Sequence, residues 1–214
     1  MPLAQAAGVR QAERSLATLR VQEDNLIAAT APDPDYSPGL KLLMRGYQQA
    51  DETAAKGLIE QVSPRLRRYF WFQTFTRRFA DDLLQETWMR VHRARHTYRP
   101  GAPVLPWIFA IARHTALDHY RKTRRVELRE TQVDELPDCP APEQEFLRET
   151  HEMDGMLADL PEGQREVLVM LKVSGMSLEE VALATSSSVG SVKQRAHRAY
   201  TKLRDILAVA GRKG

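Results

Sequence analysis

Apolar residues between Leu40 and Arg125 recur at intervals of three and four. The segments LKLLMRGYQQA, TAAKGLIEQV, PRLRRYFWFQTF, ADDLLQETWMRVHRARH and PWIFAIARHTALDHYRKTRR each read as a helix, and no alternating strand pattern with hairpin residues interrupts them. Pro106 suits the first position of the last segment, where a helix needs no amide hydrogen. Further on, Val167, Leu168 and Leu171 mark one short helix, and Leu178, Val181 and Ala182 a second. A third carries the stripe Val189, Val192, Ala196, Ala199, Leu203 and Ile206. The stretch between the two sets, with ELPDCPAPEQE at its heart, has too many prolines and acids to bury a core of its own. The pattern therefore predicts an all-α chain of two small helical domains, 40–125 and 156–210, joined by a flexible acidic linker, 126–155. An extension, 1–39, precedes them, and the sequence assigns it no role.

Composition changes this picture little. At 214 residues, with 43% apolar and 28% charged residues, the chain can bury a core. No apolar run is long enough for a membrane span, and the amino terminus is too polar for a secretory signal, so the expected compartment is the cytoplasm, with no membrane insertion. Cys139 is the single cysteine, which excludes an intramolecular disulfide and a cysteine-rich metal site.

Charge distribution changes it more. Residues 65–125 carry fourteen basic and four acidic side chains, residues 126–162 two and twelve, and residues 163–214 nine and four. Two basic blocks flank an acidic one. Lysine and arginine displace counterions from phosphates, so the blocks point to a polyanionic partner, although solvated helix faces give similar runs.

The stretch SLEEVALATSSSVGSVKQRAHRAYTKL has the form of a helix-turn-helix, in which the second helix enters the major groove amino end first. Once the apolar stripe faces the core, Ser191, Lys193, Gln194, His197 and Arg198 project away from it. Glutamine can bond adenine bidentately, and Arg or Lys can reach guanine or a phosphate. Ser188 is placed to cap the helix. The turn 186–188 lacks a glycine, so a serine there has to take a left-handed conformation. An ordinary helical hairpin with a basic outer face would share this pattern.

Eleven of the fifteen aromatic residues lie between Tyr69 and Tyr120, inside the most basic block. Rings interleaved with cations suit single-stranded nucleic acid, although rings at helical spacing also serve as core. Tyr98, Trp107 and Phe109 bracket the turn-forming YRPGAPVLPW and are the better candidates for contact with a base.

At these two stretches the chain resembles a known family. The segment from Ala80 to Arg125 is similar to region 2 of bacterial RNA polymerase sigma factors of the extracytoplasmic-function (ECF) type, and LPEGQREVLVMLKVSGMSLEEVALATSSSVGSVKQRAHRAYTKL resembles their region 4. The resemblance implies that Asp81, Asp82, Leu83, Gln85, Glu86, Trp88 and Met89 dock the coiled coil of the polymerase clamp. It implies that Tyr98, Trp107, Phe109, Arg113, His114, Arg121 and Lys122 hold a flipped base of the −10 element and follow its phosphates. His114 stands where the family usually has asparagine. Ser191, Lys193, Gln194, His197 and Arg198 then read the −35 element. The implied partners are core RNA polymerase (clamp coiled coil and flap), promoter DNA and an anti-sigma protein, with no cofactor.

Two other classes share part of this pattern. His92 and His96 have a zinc-like spacing, but Arg-Ala-Arg separates them and no glutamate is there to act as base, so catalysis is not expected. A conventional helix-turn-helix regulator explains residues 156–210 equally well. It leaves the aromatic loop and the acidic helix unexplained.

Overall fold

The computed structural model describes residues 37–73, 77–127, 155 and 157–212. Nearly all of the expected extension and linker, Cys139 included, lies outside the described residues. The all-α expectation holds: the described residues form seven α-helices and no strand.

Helix α1 (Ser37–Gln48) buries Leu40, Met44 and Tyr47, and a short turn leads to α2 (Glu52–Phe72). Asp51 starts α2 by accepting from the backbone amides of Thr53 and Ala54 at 2.8 and 3.1 Å. The two helices meet at Gly46, where an added Cβ would lie 2.6 Å from that of Ala54. The atom met is a Cβ and not the end of a flexible side chain, so the helices themselves must shift. Gly46→Ala is therefore expected to lower stability by about 1–3 kcal/mol in urea denaturation. An unchanged midpoint would show that the pair separates at no cost.

The apolar pattern divides α2 at Pro64, yet the chain runs through it as one helix. An interior proline forfeits one backbone bond and crowds the preceding turn, at a cost of ~3 kcal/mol. Leu58, Val62, Leu66, Tyr69 and Phe70 are buried on both sides of it, and burial of about 1.5–3 kcal/mol per large side chain offsets that cost.

A 3₁₀ turn (Arg77–Phe79) precedes α3 (Ala80–Ala94). No side chain caps α3, but Asp81 and Asp82 occupy its first turn, where the exposed amides favour negative charge. Ala80, Leu83, Thr87 and Val91 form its buried stripe. After a second 3₁₀ turn (Arg95–Thr97) the loop 98–103 leads into α4 (Val104–Glu127). The helix starts two residues before the expected Pro106, which still sits in the first turn, where amides have no intrahelical partner.

The second set begins with α5 (Glu162–Leu168), which passes into a π-helical stretch (Val169–Val173) where a plain helix was expected. Arg165 is 6% exposed and ties the preceding turn to α5, donating to the carbonyls of Leu157, Ala158 and Leu160 at 2.7, 2.6 and 2.9 Å. Ser177 and Glu180 form a reciprocal capping box at the start of α6 (Leu178–Ala184). Ser186 takes φ 51°, the left-handed conformation that the missing glycine predicts, and the chain enters α7 (Val189–Arg212).

The two sets are not held apart. Helix α6 lies against α4, and the π-helical stretch against α2, so that one apolar cluster extends from Leu40 to Leu203. No helix among the described residues is long and apolar enough to cross a membrane.

Candidate nucleic-acid interface

Three surfaces carry the residues singled out in the sequence. The first is the amino-terminal half of α7. Val192, Ala196 and Ala199 are fully buried, which turns Lys193, Gln194, His197 and Arg198 outward, all exposed, with Ser191 half-buried beside them. Ser188 Oγ accepts from the Ser191 amide at 3.2 Å, as expected of a cap. The four outward side chains form two i,i+4 pairs along about two turns, a spacing that fits one passage of a helix through a major groove.

The second surface is the loop before α4 together with the outer face of that helix. Gln48 Nε2 donates to the carbonyls of Arg95 and Tyr98 at 2.8 and 2.9 Å, and so pins the loop to the end of α1. Gly101 takes φ 88°, which allows the tight turn after Pro100. The expectation that this loop presents three rings is met only in part. Phe109 is fully buried, packed edge-on to Tyr69 at 5.5 Å between centroids, because it falls on the core side of α4 beside Ile108 and Ala112. Tyr98 is also buried, with its hydroxyl donating to the Ala102 carbonyl. Burial pushes that phenol's pKa up. Trp107 is half-buried and stands edge-on to Tyr98.

Beside the loop, Lys41, Leu42 and Arg45 of α1 face Tyr98, Pro100 and Gly101 across a pocket of about 560 Å³. Sequence reasoning missed the α1 side of it, since no local signal links α1 to a loop some fifty residues on. His114, Arg121 and Lys122 are exposed along α4, and the ring nitrogen Nδ1 of His114 meets the Ala110 carbonyl at 2.7 Å. Arg113 is committed elsewhere, its Nε 3.0 Å from Glu166 Oε1. His119, tilted against Phe79 at 4.3 Å between ring centroids, is held below the usual imidazole pKa by burial and by the nearby Lys122 and Arg78, against the opposing pull of Asp82.

The third surface is a groove of about 680 Å³ between α3 and the first two helices. Asp81, Gln85, Trp88 and Met89 line it, joined by Tyr47, Ile59, Leu84 and His92, which the sequence does not assign to this surface. Trp88 Nε1 donates to Ser63 Oγ at 2.9 Å, and the Tyr47 hydroxyl meets His92 Nδ1 at the same distance, so both rings are fixed in the wall. Ile59 and Met89 are exposed apolar side chains here. Leu83 is not on this surface: it is buried, one helical step inside, and Leu84 takes the outward position. Glu86 pairs with Arg90 at 2.8 Å and is half-buried, Asp81 pairs with Arg67 at 2.9 Å, and Asp82 stays exposed at the helix start. Among the described residues no cluster of three or more His, Cys, Asp or Glu is placed to hold a metal ion.

Comparison with known proteins places the chain in a family. Residues 58–126 match the family described as Sigma-70 region 2, and residues 150–203 match Sigma-70, region 4. RNA polymerase sigma factor CarQ of Myxococcus xanthus is 32% identical over 165 residues, covering 77% of this chain and 95% of that protein. ECF RNA polymerase sigma factor SigF of Caulobacter vibrioides is 33% identical over 177 residues, covering 79% and 94%. Among solved structures, the sigma factor RpoE in complex with the anti-sigma factor NepR from Bartonella quintana is similar with a TM-score of 0.62 at 26% identity, covering 72% of this chain and 96% of that one.

Proposed function

This chain belongs to the ECF-type RNA polymerase sigma factors, and on that premise we propose how its three surfaces divide the work of directing core polymerase to a promoter. The outward face of α7 reads the −35 element through Lys193, Gln194, His197 and Arg198, with Ser191 at its start. The loop before α4, with Trp107 over Tyr98 and His114, Arg121 and Lys122 beyond, takes the opened −10 strand. Arg113 joins it once released from Glu166. Phe109 shapes this site from beneath by packing. The groove along α3 seats the clamp coiled coil, with apolar side chains at its centre and Asp81, Asp82 and Gln85 along its edge to meet a basic partner.

Sigma factors are generally DNA-recognition subunits rather than catalysts. In this reading the polymerase supplies the chemistry, in the cytoplasm. The proposed bodies are region 2 at 40–125 and region 4 at 156–210, the latter also meeting the polymerase flap. An anti-sigma protein is the proposed inhibitor, supported by the likeness to a sigma factor that is held by one. A conventional regulator is the less favoured reading, because it uses α7 and leaves the α3 groove without a partner.

The observation that carries the proposal is the division of α7, whose stripe is buried while all four groove-facing side chains are exposed. Run-off transcription with core polymerase on a randomised promoter library tests it and reads both elements at once. Arg198→Ala is expected to weaken selection at one upstream position by about 1–3 kcal/mol, about five- to 150-fold in promoter preference, with downstream selection unchanged. Uniform loss at every position would make Arg198 a phosphate contact instead. A footprint on duplex DNA without polymerase would favour the regulator.

A further inference from the structure

The contact between the two helical sets has a polar centre. Glu166, on α5, has a side chain only 12% exposed, and its Oε1 accepts from the Tyr69 hydroxyl of α2 and from Nε of Arg113 of α4, each at 3.0 Å. Nearby, the Arg65 guanidinium donates to the Ser174 carbonyl at 3.3 Å. Around them α6 covers one flank of α4 and the π-helical stretch covers α2. Tyr69 is 1% exposed, its ring packed edge-on to Phe70 and Phe109 of the first set and its hydroxyl turned to Glu166 of the second.

This arrangement is incompatible with engaging a promoter at both ends. The −10 and −35 elements lie some 25 base pairs apart, about 85 Å of duplex at ~3.4 Å per step. A compact chain of this size has a radius of gyration of about 17 Å and is only ~45 Å across. The two sets must therefore part before both elements are bound. The connecting sequence 126–155 has thirty residues, a contour of up to about 100 Å, so it can span the gap. Arg113, one of the side chains assigned to the −10 strand, is the one Glu166 holds.

We propose that Glu166 is a latch which keeps the free chain closed, with Arg113 and one flank of α4 withheld from DNA, and that engagement of core polymerase opens it. This rests on the sigma-factor reading for what opening achieves, but closure itself is a property of the free chain. A latch of this kind is built to be broken: it joins one carboxylate to two donors, and all three groups regain water or phosphate when the sets separate. The α7 face stays exposed in the closed state, as do His114, Arg121 and Lys122, so latching withholds Arg113 and the flank of α4 that α6 covers.

The test is energy transfer within the full-length chain, free of polymerase, with Cys139→Ser and dyes on Lys56→Cys of α2 and Lys202→Cys of α7. High transfer is expected for the otherwise native chain. Losing a charge-assisted bond shifts such an equilibrium by about tenfold. Transfer should therefore fall in Glu166→Gln and in Tyr69→Phe, fall further in Glu166→Lys, and return when Arg113→Glu is added to Glu166→Lys. Low transfer in the native chain, or transfer indifferent to all four variants, overturns the latch. In run-off assays at limiting protein, Glu166→Gln is expected to raise initiation by up to about tenfold, because a smaller fraction of chains is closed. Unchanged initiation despite reduced transfer refutes the masking role. Failure of the native chain to initiate at all refutes the sigma-factor assignment and leaves the closure result standing.

Discussion

Arg165→Met is expected to lower the stability of the second helical set by about 3 kcal/mol or more, a larger loss than any surface substitution here should cause. The guanidinium serves three backbone carbonyls, and those of Leu157 and Leu160 belong to buried residues. Each bond to a charged donor contributes about 1.5–3 kcal/mol; the Leu157 carbonyl keeps the Leu160 amide at 3.1 Å, whereas the Leu160 carbonyl is left buried without its arginine donor, at a further cost of about 1–3 kcal/mol. Ala158 is exposed, and water can replace the arginine there. Methionine keeps most of the apolar stem, which isolates the loss of the donors from a loss of volume. Urea denaturation followed by circular dichroism gives the magnitude. A shift below about 1 kcal/mol would mean that the turn 157–160 re-pairs with solvent at little cost, and that Arg165 does not organise the entry to α5. Because the same turn sets where α5 begins, Glu166 is displaced as well, so Arg165→Met should also reduce closure of the chain.

Loss of the groove side chains is expected to cost almost as much, in affinity rather than in folding. Trp88→Ala with Met89→Ala should weaken association with core polymerase by about 2 kcal/mol or more, some thirtyfold. Aromatic and methionine anchors in a pocket carry most of the energy at such interfaces, whereas the rim charges mainly steer encounter. Asp81 already pairs with Arg67 on an exposed surface, so Asp81→Asn should change the salt dependence of association more than the final affinity. Trp88 also bonds Ser63, and the double variant therefore loses some stability as well. Met89→Ala alone settles the matter, since Met89 is 44% exposed and its truncation removes little buried surface. A drop in affinity of about fivefold with an unchanged melting temperature is the expected result, measured by fluorescence anisotropy against core enzyme. If the affinity is unchanged in a folded Met89→Ala protein, the clamp partner sits elsewhere.

Local pattern carried much of this, and its failures have identifiable causes. The stripe in α7 placed Lys193, Gln194, His197 and Arg198 outside, because a helix has one period and burying one face exposes the other. Ser188 as a cap and the left-handed serine in the turn follow from backbone sterics within a few residues. The misplacements are of three kinds. Leu83 and Phe109 were given to surfaces by their position in a motif, yet each sits on the inward side of its helix, and Leu84 and Trp107 are the outward neighbours. Pro64 was treated as a boundary because proline weakens a helix, but the energy of a long buried face decided otherwise. Arg165 passed unnoticed among surface-type residues, since nothing in its local sequence shows three carbonyls converging on it.

What the sequence determined by itself is therefore what short-range physics governs: helix periodicity, caps, turn geometry, the sign of charge along each block, and the motif order that identifies the family. Only the tertiary structure decided which side chains from distant segments share a surface. It set Lys41 and Arg45 against the loop at Tyr98, Tyr47 and Ile59 against α3, and Glu166 against Tyr69 and Arg113. Those pairings depend on how helices pack across gaps of tens of residues. Packing is fixed by the summed shape and burial of whole faces, which no local window of sequence contains.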